Sequence, residues 1–240
     1  WFLDRMDSNW INNKKRFLDK IELMDASFCT TDPRSLQINK KHNIFYLPNP
    51  VDKSFETLEN YKMKYFNNDV FFAMSHGVHR GVLKKGKLDE REVFINKLIS
   101  ITPDIRYDLY GMGGIQPIWA DDYRLAISNC KIGLNLSQGS TSKYYSSDRF
   151  SQLIGNGLLV MIDEKTKFGN FFTNKEIILY KNISDLSEKI LKYNSDDNLK
   201  NKIDKNGKKK YFKYFNSTII ADYLISKTYQ LNKTFYWENK

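Results

Sequence analysis

The sequence predicts an α/β fold, a Rossmann-like parallel sheet with helices on both faces, followed by a helical C-terminal tail. Three observations carry this expectation. Short apolar runs at 70–74, 105–110, 132–136, 158–162 and 177–180 alternate with helical windows near 89–101, 121–129, 147–155 and, more weakly, 165–172. The polar and basic loops repeatedly follow the strands, at the edge where an open α/β sheet binds ligands. After residue 183 the pattern is helical only, and it ends in an amphipathic helix over 217–231 that an interruption at Gly207 precedes.

The elements before residue 70 read differently. Met6, Trp10, Phe17, Ile21 and Met24 recur at helical spacing and predict an amphipathic helix with a core face. A strand at 26–31 follows, then a helix opening at Asp32-Pro33 with proline in its first turn. A second strand at 43–47 closes on Pro48-Asn49-Pro50, whose X-Pro steps force extended backbone and mark a linker or turn.

The chain has 240 residues, 41% hydrophobic and 15% aromatic, which suffices for a packed core and excludes a disordered protein. No run of 18 apolar residues is present, so no membrane-spanning helix is expected. The start, Trp1-Phe2-Leu3-Asp4-Arg5, lacks the basic-then-apolar order of a signal peptide and lacks an initiator Met, as in a piece of a longer chain. Cys29 and Cys130 sit in or beside apolar runs and read as buried thiols of a reducing, cytoplasmic compartment. The formal charge of +10 implies an anionic partner: nucleic acid, acidic lipid or a nucleotide diphosphate. Much of the excess lies at Lys200, Lys202, Lys205, Lys208, Lys209, Lys210 and Lys213, read either as a solvated helix face or as a membrane-surface or acceptor patch.

The densest signal runs from Tyr144-Tyr145-Ser146-Ser147-Asp148-Arg149 through Gln152 to Gly157 and the strand after it. A polar loop feeds a short helix, and Ser147 or Ser146 can accept from its first free N–H groups, which together form an anion site. An ordinary well-capped helix–strand unit fits the same residues. The run Arg149-x-x-Gln152-x4-Gly157 resembles the R-x-x-E-x4-G signature of group 1 (family 4-like) glycosyltransferases of GT-B fold. In that family the helix lies beside the nucleotide-sugar donor, its N-terminus faces the diphosphate, and its glutamate binds the ribose hydroxyls. Gln152 stands in for that glutamate, so hydroxyl contact survives without charge assistance. The upstream glutamate of the family's E-x7-E pattern falls on Tyr144 and is missing.

Pro48-Asn49-Pro50-Val51-Asp52 resembles the family's PN-x-VD crossing between domains. The resemblance then implies a trailing part of the acceptor domain at 1–48, a nucleotide-sugar-binding domain at 49–215, and a C-terminal helix at 216–240 packing back across both. The loop 75–87 holds three glycines, one arginine and three lysines directly after a strand. Similar enzymes place an Arg and a Lys here against the leaving diphosphate, which makes Arg80 the fork-shaped contact and Lys85 (or Lys87) the point charge. His76, Gly77 and His79 in that loop, Gly111 and Gly113 of a turn like the family's YG-x-G, and Lys143, Tyr144, Tyr145, Ser146, Ser147, Asp148, Arg149 and Gln152 complete the donor-binding candidates. A flexible basic surface loop and a plain turn remain the bland readings of the two glycine clusters.

His-x-x-His without a third ligand is a weak metal motif, and no Asp-x-Asp occurs, so no metal and no cofactor are expected. The resemblance implies a glycosyltransferase that moves a sugar, with retention, from a nucleotide-diphosphate sugar to a glycan or lipid-linked acceptor in cell-surface glycan biosynthesis. Its place would be the cytoplasm, with peripheral contact at the inner face of the membrane through the basic tail. Two rivals stand beside it: a non-catalytic basic α/β module binding nucleic acid or another polyanion, and a degenerate, non-catalytic scaffold of the same fold. No RNA-recognition or zinc signature supports the first, and no nucleic-acid partner is expected.

Overall fold

The structure, a computed structural model, describes residues 2–3, 18–36, 43–75, 89–139 and 141–239. Two parallel sheets appear among these residues. The first pairs β1 (Phe2–Leu3), β2 (Ser27–Cys29) and β3 (Ile44–Tyr46) in that order. The second contains β4 (Asn68–Ala73), β5 (Tyr107–Tyr110), β6 (Cys130–Asn135), β7 (Leu159–Asp163) and β8 (Ile178–Tyr180), in the order β5-β4-β6-β7-β8. Among the described residues, six α-helices follow or link the strands of the second sheet: α1 (Glu90–Ile101), α2 (Ala120–Ser128), α3 (Asp148–Gly155), α4 (Ile183–Ser195), α5 (Asp197–Tyr214) and α6 (Ser217–Thr228). This is the parallel sheet between helical layers that the alternating pattern predicts.

Period-2 geometry explains why the strands are apolar at nearly every position. Phe71, Ala73, Val160 and Ile162 point into one core with Ile127 of α2, Phe150 and Leu153 of α3 and Tyr211 of α5. Val70, Phe72, Leu159 and Met161 point to the other, with Ile95 and Leu98 of α1 and Leu186 and Ile190 of α4. A one-residue slip in any of these strands would exchange both faces, so the register Phe71↔Asp108 and Phe71↔Gly133 is tightly specified.

The linker is clasped at the α5–α6 junction. Val51 bridges Asn216, the Tyr211 hydroxyl donates to the Asn49 carbonyl at 2.7 Å, and the Ser217 hydroxyl donates to Asp52. That hydrogen bond and those from Ser54 bring the Asp52 carboxyl down to about 2. Beyond the clasp, Tyr223 of α6 packs edge-on against Phe28 of β2 at 5.9 Å and Phe45 of β3 at 6.5 Å. The C-terminal helix therefore closes the core of the first sheet.

Four expectations are corrected. Asp32-Pro33 opens only a 3-10 turn, Pro33–Leu36, and the weak window near 165–172 is two such turns, Glu164–Thr166 and Phe168–Asn170. Gly207 does not interrupt a helix but lies inside α5, where a Cβ would come within 2.4 Å of the Glu176 carbonyl oxygen. Glycine is there for close approach, not for a stop. The basic tail is not one solvated face. Lys200 is buried against Asp204 at 2.5 Å, Lys208 donates to the Leu58 carbonyl, and Lys210 faces Glu176 at 3.5 Å. Lys202, Lys205, Lys209 and Lys213 remain exposed along one side of α5. Of the helix expected over 6–24, residues 18–21 are helical, 22–24 leave it through a turn, and 6–17 lie outside the described residues.

Gly111 ties β5 to the end of β4. Its φ is +77°, and a Cβ would lie 1.6 Å from the Met74 carbonyl oxygen. Gly113, at φ +58°, has open space at the same position. Gly113→Ala should therefore cost about 1–2 kcal/mol, the left-handed penalty alone. Gly111→Ala adds a backbone collision and should exceed about 4 kcal/mol, or prevent folding. Urea unfolding of the two variants checks this, and equal losses would refute the close-approach argument.

Candidate functional site

The strand order reverses between β4 and β6, since β5 lies on one side of β4 and β6 and β7 on the other. Connections leaving the two strands diverge there and leave a crevice at the carboxyl edge of the sheet. A cleft of about 790 Å³ occupies it. Its floor is the end of β4 at 73–75, one wall is the start of α3 with Ser147, Asp148, Arg149 and Gln152, and the other is the start of α2 with Trp119, Ala120 and Tyr123. Phe55 and Glu56 of the linker complete the rim.

Ser147 holds the N-cap position of α3, but its side chain makes no capping hydrogen bond. The expectation that Ser147 or Ser146 accepts from the free N–H groups is corrected: the Ser147 hydroxyl donates to Asn135 Oδ1 at 2.8 Å, and Ser146 is buried with its carbonyl held by Asn49 at 3.2 Å. Asn135 outcompetes the helix for the hydroxyl because it sits, buried, at the end of the adjacent strand. The N-cap side chain thus takes none of the first-turn N–H groups of α3, which lie beside the cleft.

Arg149 projects from this turn. Its guanidinium stacks 4.8 Å above the Phe72 ring and donates to the Leu136 carbonyl at 3.2 Å. It has no ion pair among the described residues. Burial, with Arg91 nearby, lowers it to about 10, so it stays a cation at neutral pH. Arg91 is occupied differently: it forks onto Asp89, the N-cap of α1, with two 2.8 Å bonds. The buried Tyr123 hydroxyl has no hydrogen-bond partner. Gln152 reaches the cleft with its side-chain amide unbonded among the described residues. These groups are donors set around one space and not yet spent.

The remaining candidates divide. Asp148 lines the cleft. Lys143, Tyr144 and Tyr145 do not, and two of them are engaged elsewhere. Lys143 pairs with Asp32 at 2.8 Å and its carbonyl accepts from Asp32 N at 3.0 Å. Tyr144 is buried at φ +61°, accepts from Asn170 through its hydroxyl at 2.8 Å, and accepts from the Tyr46 hydroxyl through its carbonyl at 3.0 Å. This segment is the strap by which β2–β3 hold the loop that feeds α3. Gly111 and Gly113 shape the turn after β5, where Gly113 N donates to Glu92 at 2.9 Å, while 117–120 of the same connection reach the cleft. His76, Gly77, His79, Arg80 and Lys85 lie outside the described residues. Among those described, no group of three or more His, Cys, Asp or Glu could hold a metal.

Sequence reasoning missed Arg91, Trp119 and Tyr123, which line the cleft, and Asn135 and Asp32, which hold Ser147 and Lys143 behind it. Asp89-x-Arg91 at a helix start was the one available signal. The others depend on which strand lies beside which.

The residues 91–226 match the family model described as glycosyl transferase-like. No curated protein matches this sequence. Among solved structures the chain resembles TarM (TM-score 0.63, 13% identity), covering 90% of this chain and 46% of that one. It also resembles Anabaena Alr3699/HepE in complex with UDP and glucose (TM-score 0.67, 10% identity, 96% of this chain and 71% of that one). A third is sucrose-phosphate synthase from Thermosynechococcus elongatus (TM-score 0.56, 12% identity, 96% and 67%). The chain thus spans less than half the length of TarM. These likenesses carry the GT-B, Rossmann-like fold.

The strap makes a pH prediction. Burial pushes the Asp32 carboxyl up, but hydrogen bonds from Arg34 and Lys143 outweigh it and hold it below the ordinary carboxylate value. A depressed folded pKa stabilises above the unfolded pKa of about 3.9 and is lost as pH falls through the folded value. Asp32→Asn should therefore flatten the acid limb of stability below about pH 4, by up to about one proton. Denaturant unfolding from pH 6 to 2.5 measures it, and an unchanged slope would contradict the pairing.

Proposed function

The chain belongs to the glycosyl transferase-like family, and on that premise we propose that it moves a sugar from a nucleotide-diphosphate sugar to a glycan or lipid-linked acceptor. The donor lies in the β4–β6 cleft. One observation carries this reading: Arg149, a cation with no ion pair among the described residues, stands beside the first turn of α3, whose N-cap side chain does not cap it, at the strand-order reversal. Fixed N–H groups and a forked cation aimed at one space stabilise the charge that develops when the bond from the sugar's anomeric carbon to the diphosphate breaks. The acceptor hydroxyl supplies the new oxygen and loses its proton, and the diphosphate leaves with the bonding pair. The HepE complex with UDP and glucose supports a donor of this kind.

Gln152 takes the ribose hydroxyls, Asp148 and Ser147 flank the diphosphate, and Arg80 and Lys85 add positive charge from the preceding loop. No metal is required, because cations and helix N–H groups cover the diphosphate. Retention of configuration follows from the group 1 resemblance. The acceptor is a cell-surface glycan or its lipid-linked precursor, met at the inner membrane face. Lys202, Lys205, Lys209 and Lys213, exposed along one side of α5, suit that contact.

Calorimetry with UDP and GDP tests the reading. Binding should persist in EDTA. Arg149→Ala should weaken the diphosphates by about 1.5–3 kcal/mol, the worth of a charged hydrogen bond, and leave the free nucleosides unchanged. Loss of nucleoside binding to the same extent, or no binding of any nucleotide diphosphate to the unaltered chain, refutes it. Gln152→Glu should preserve or strengthen ribonucleotide binding, since a carboxylate accepts from both hydroxyls with charge assistance. Gln152→Leu should weaken it by about 1 kcal/mol while sparing 2′,3′-dideoxy analogues; equal effects on both would remove Gln152 from the ribose.

A further inference from the structure

A second cleft, of about 430 Å³, opens on the same edge of the sheet but on the α1–α4 face, at the ends of β6, β7 and β8. Lys97 of α1, Lys165 after β7 and Lys181 after β8 reach it from three separate elements. None of the three has an ion pair among the described residues. The acids of this cleft are already committed: Glu90 accepts from Gly139 N, and Asp163 accepts from Lys165 N at 2.8 Å. Neither carboxylate forms an ion pair with the three lysines, which outnumber the two acids of the lining.

Asn135 borders this cleft and not the first. It is 2% exposed, its Oδ1 is used by Ser147, and its Nδ2 has no partner. A buried amide donor left unpaired costs about 1–3 kcal/mol, so the unspent donor is a second and independent sign of a ligand. The rest of the lining has two characters. Phe94, Leu136 and Ile183 give an apolar wall, and Ser137 and Thr141 give hydroxyls. An aromatic wall accepts the C–H face of a pyranose, and hydroxyls accept and donate to its alcohols.

We propose that this cleft is a separate site for a phosphate monoester of a sugar, its phosphate among Lys97, Lys165 and Lys181 and its ring between Phe94 and Asn135. It adjoins the donor cleft through the Asn135–Ser147 hydrogen bond but shares none of its uncommitted cations.

Calorimetry on the full chain, with glucose 6-phosphate, glycerol 3-phosphate and inorganic phosphate as probes, decides it. Glucose 6-phosphate should bind with one site per chain and more tightly than the other two. The double variant Lys165→Ala/Lys181→Ala removes exposed side chains and should fold. It should weaken glucose 6-phosphate about tenfold and leave UDP within about twofold. Arg149→Ala should do the reverse. Absence of glucose 6-phosphate binding overturns the site, and equal affinity for inorganic phosphate overturns the sugar class. A loss in Arg149→Ala matching that of the double variant moves the binding to the first cleft. Because UDP is measured separately, failure of the donor reading and failure of this one are told apart.

Discussion

Parallel pairing of β4 between β5 and β6 is the constraint on which the remaining structure depends. A parallel sheet cannot be closed by hairpins, so every strand must be followed by a crossover, and right-handed crossovers send α1 and α2 to opposite faces. The chain therefore parts at the carboxyl ends of β4 and β6, and nothing in the sheet itself fills the gap. Both clefts are consequences of this. One opens toward α2 and α3, the other toward α1 and α4, and Asn135 at the end of β6 stands between them. Its position explains why the Ser147 hydroxyl turns into the sheet instead of capping its own helix.

The gap alone would leave α3 loosely placed, because an eight-residue helix without a side-chain cap has little stability of its own. The strap from the first sheet compensates. Asp32, Tyr46 and Asn49 each hold a backbone carbonyl in 143–146, through an N–H, a hydroxyl and an amide respectively. Tyr144 at φ +61° is an unfavourable conformation for a bulky residue, and its burial among Tyr46 and Phe171, at ring distances of 5.4 and 4.5 Å, offsets that strain. The first sheet thus fixes where the first turn of α3 points. A missing glutamate at position 144 has a physical counterpart: the residue is a structural peg and does not face the cleft.

Much of the fold was legible in the sequence, and the reason is periodicity. Strands buried on both faces read as unbroken apolar runs, so β4, β6 and β7 could be located within a few residues. The segment 147–152 was legible because a polar loop, a helix start and a glycine stop lie in sequence order. What could not be read depends on spatial neighbours. Gly207 looks like a helix stop until α5 is seen crowded against the Glu176 carbonyl. Ser147 looks like a cap until Asn135, twelve residues earlier, competes for it. Lys143 looks like a phosphate ligand until Asp32 is brought beside it from another sheet. The same holds for the basic tail, where Lys200 is indistinguishable in sequence from Lys202 yet is buried with Asp204.

That contrast between cations bears on function. Lys200 and Arg91 are buried and each is answered by a carboxylate, Asp204 and Asp89. Removing a charge from water costs several kcal/mol, and a paired, hydrogen-bonded partner recovers most of it. Arg149 is treated otherwise: it has an aromatic face, one carbonyl and another arginine nearby, with Asp148 close enough to act on its charge but no ion pair among the described residues. Stability alone would favour a carboxylate there or an apolar side chain in its place. The half-buried Arg149, left without an ion pair at the strand reversal while the buried Lys200 and Arg91 have theirs, is the feature on which the proposed donor site rests.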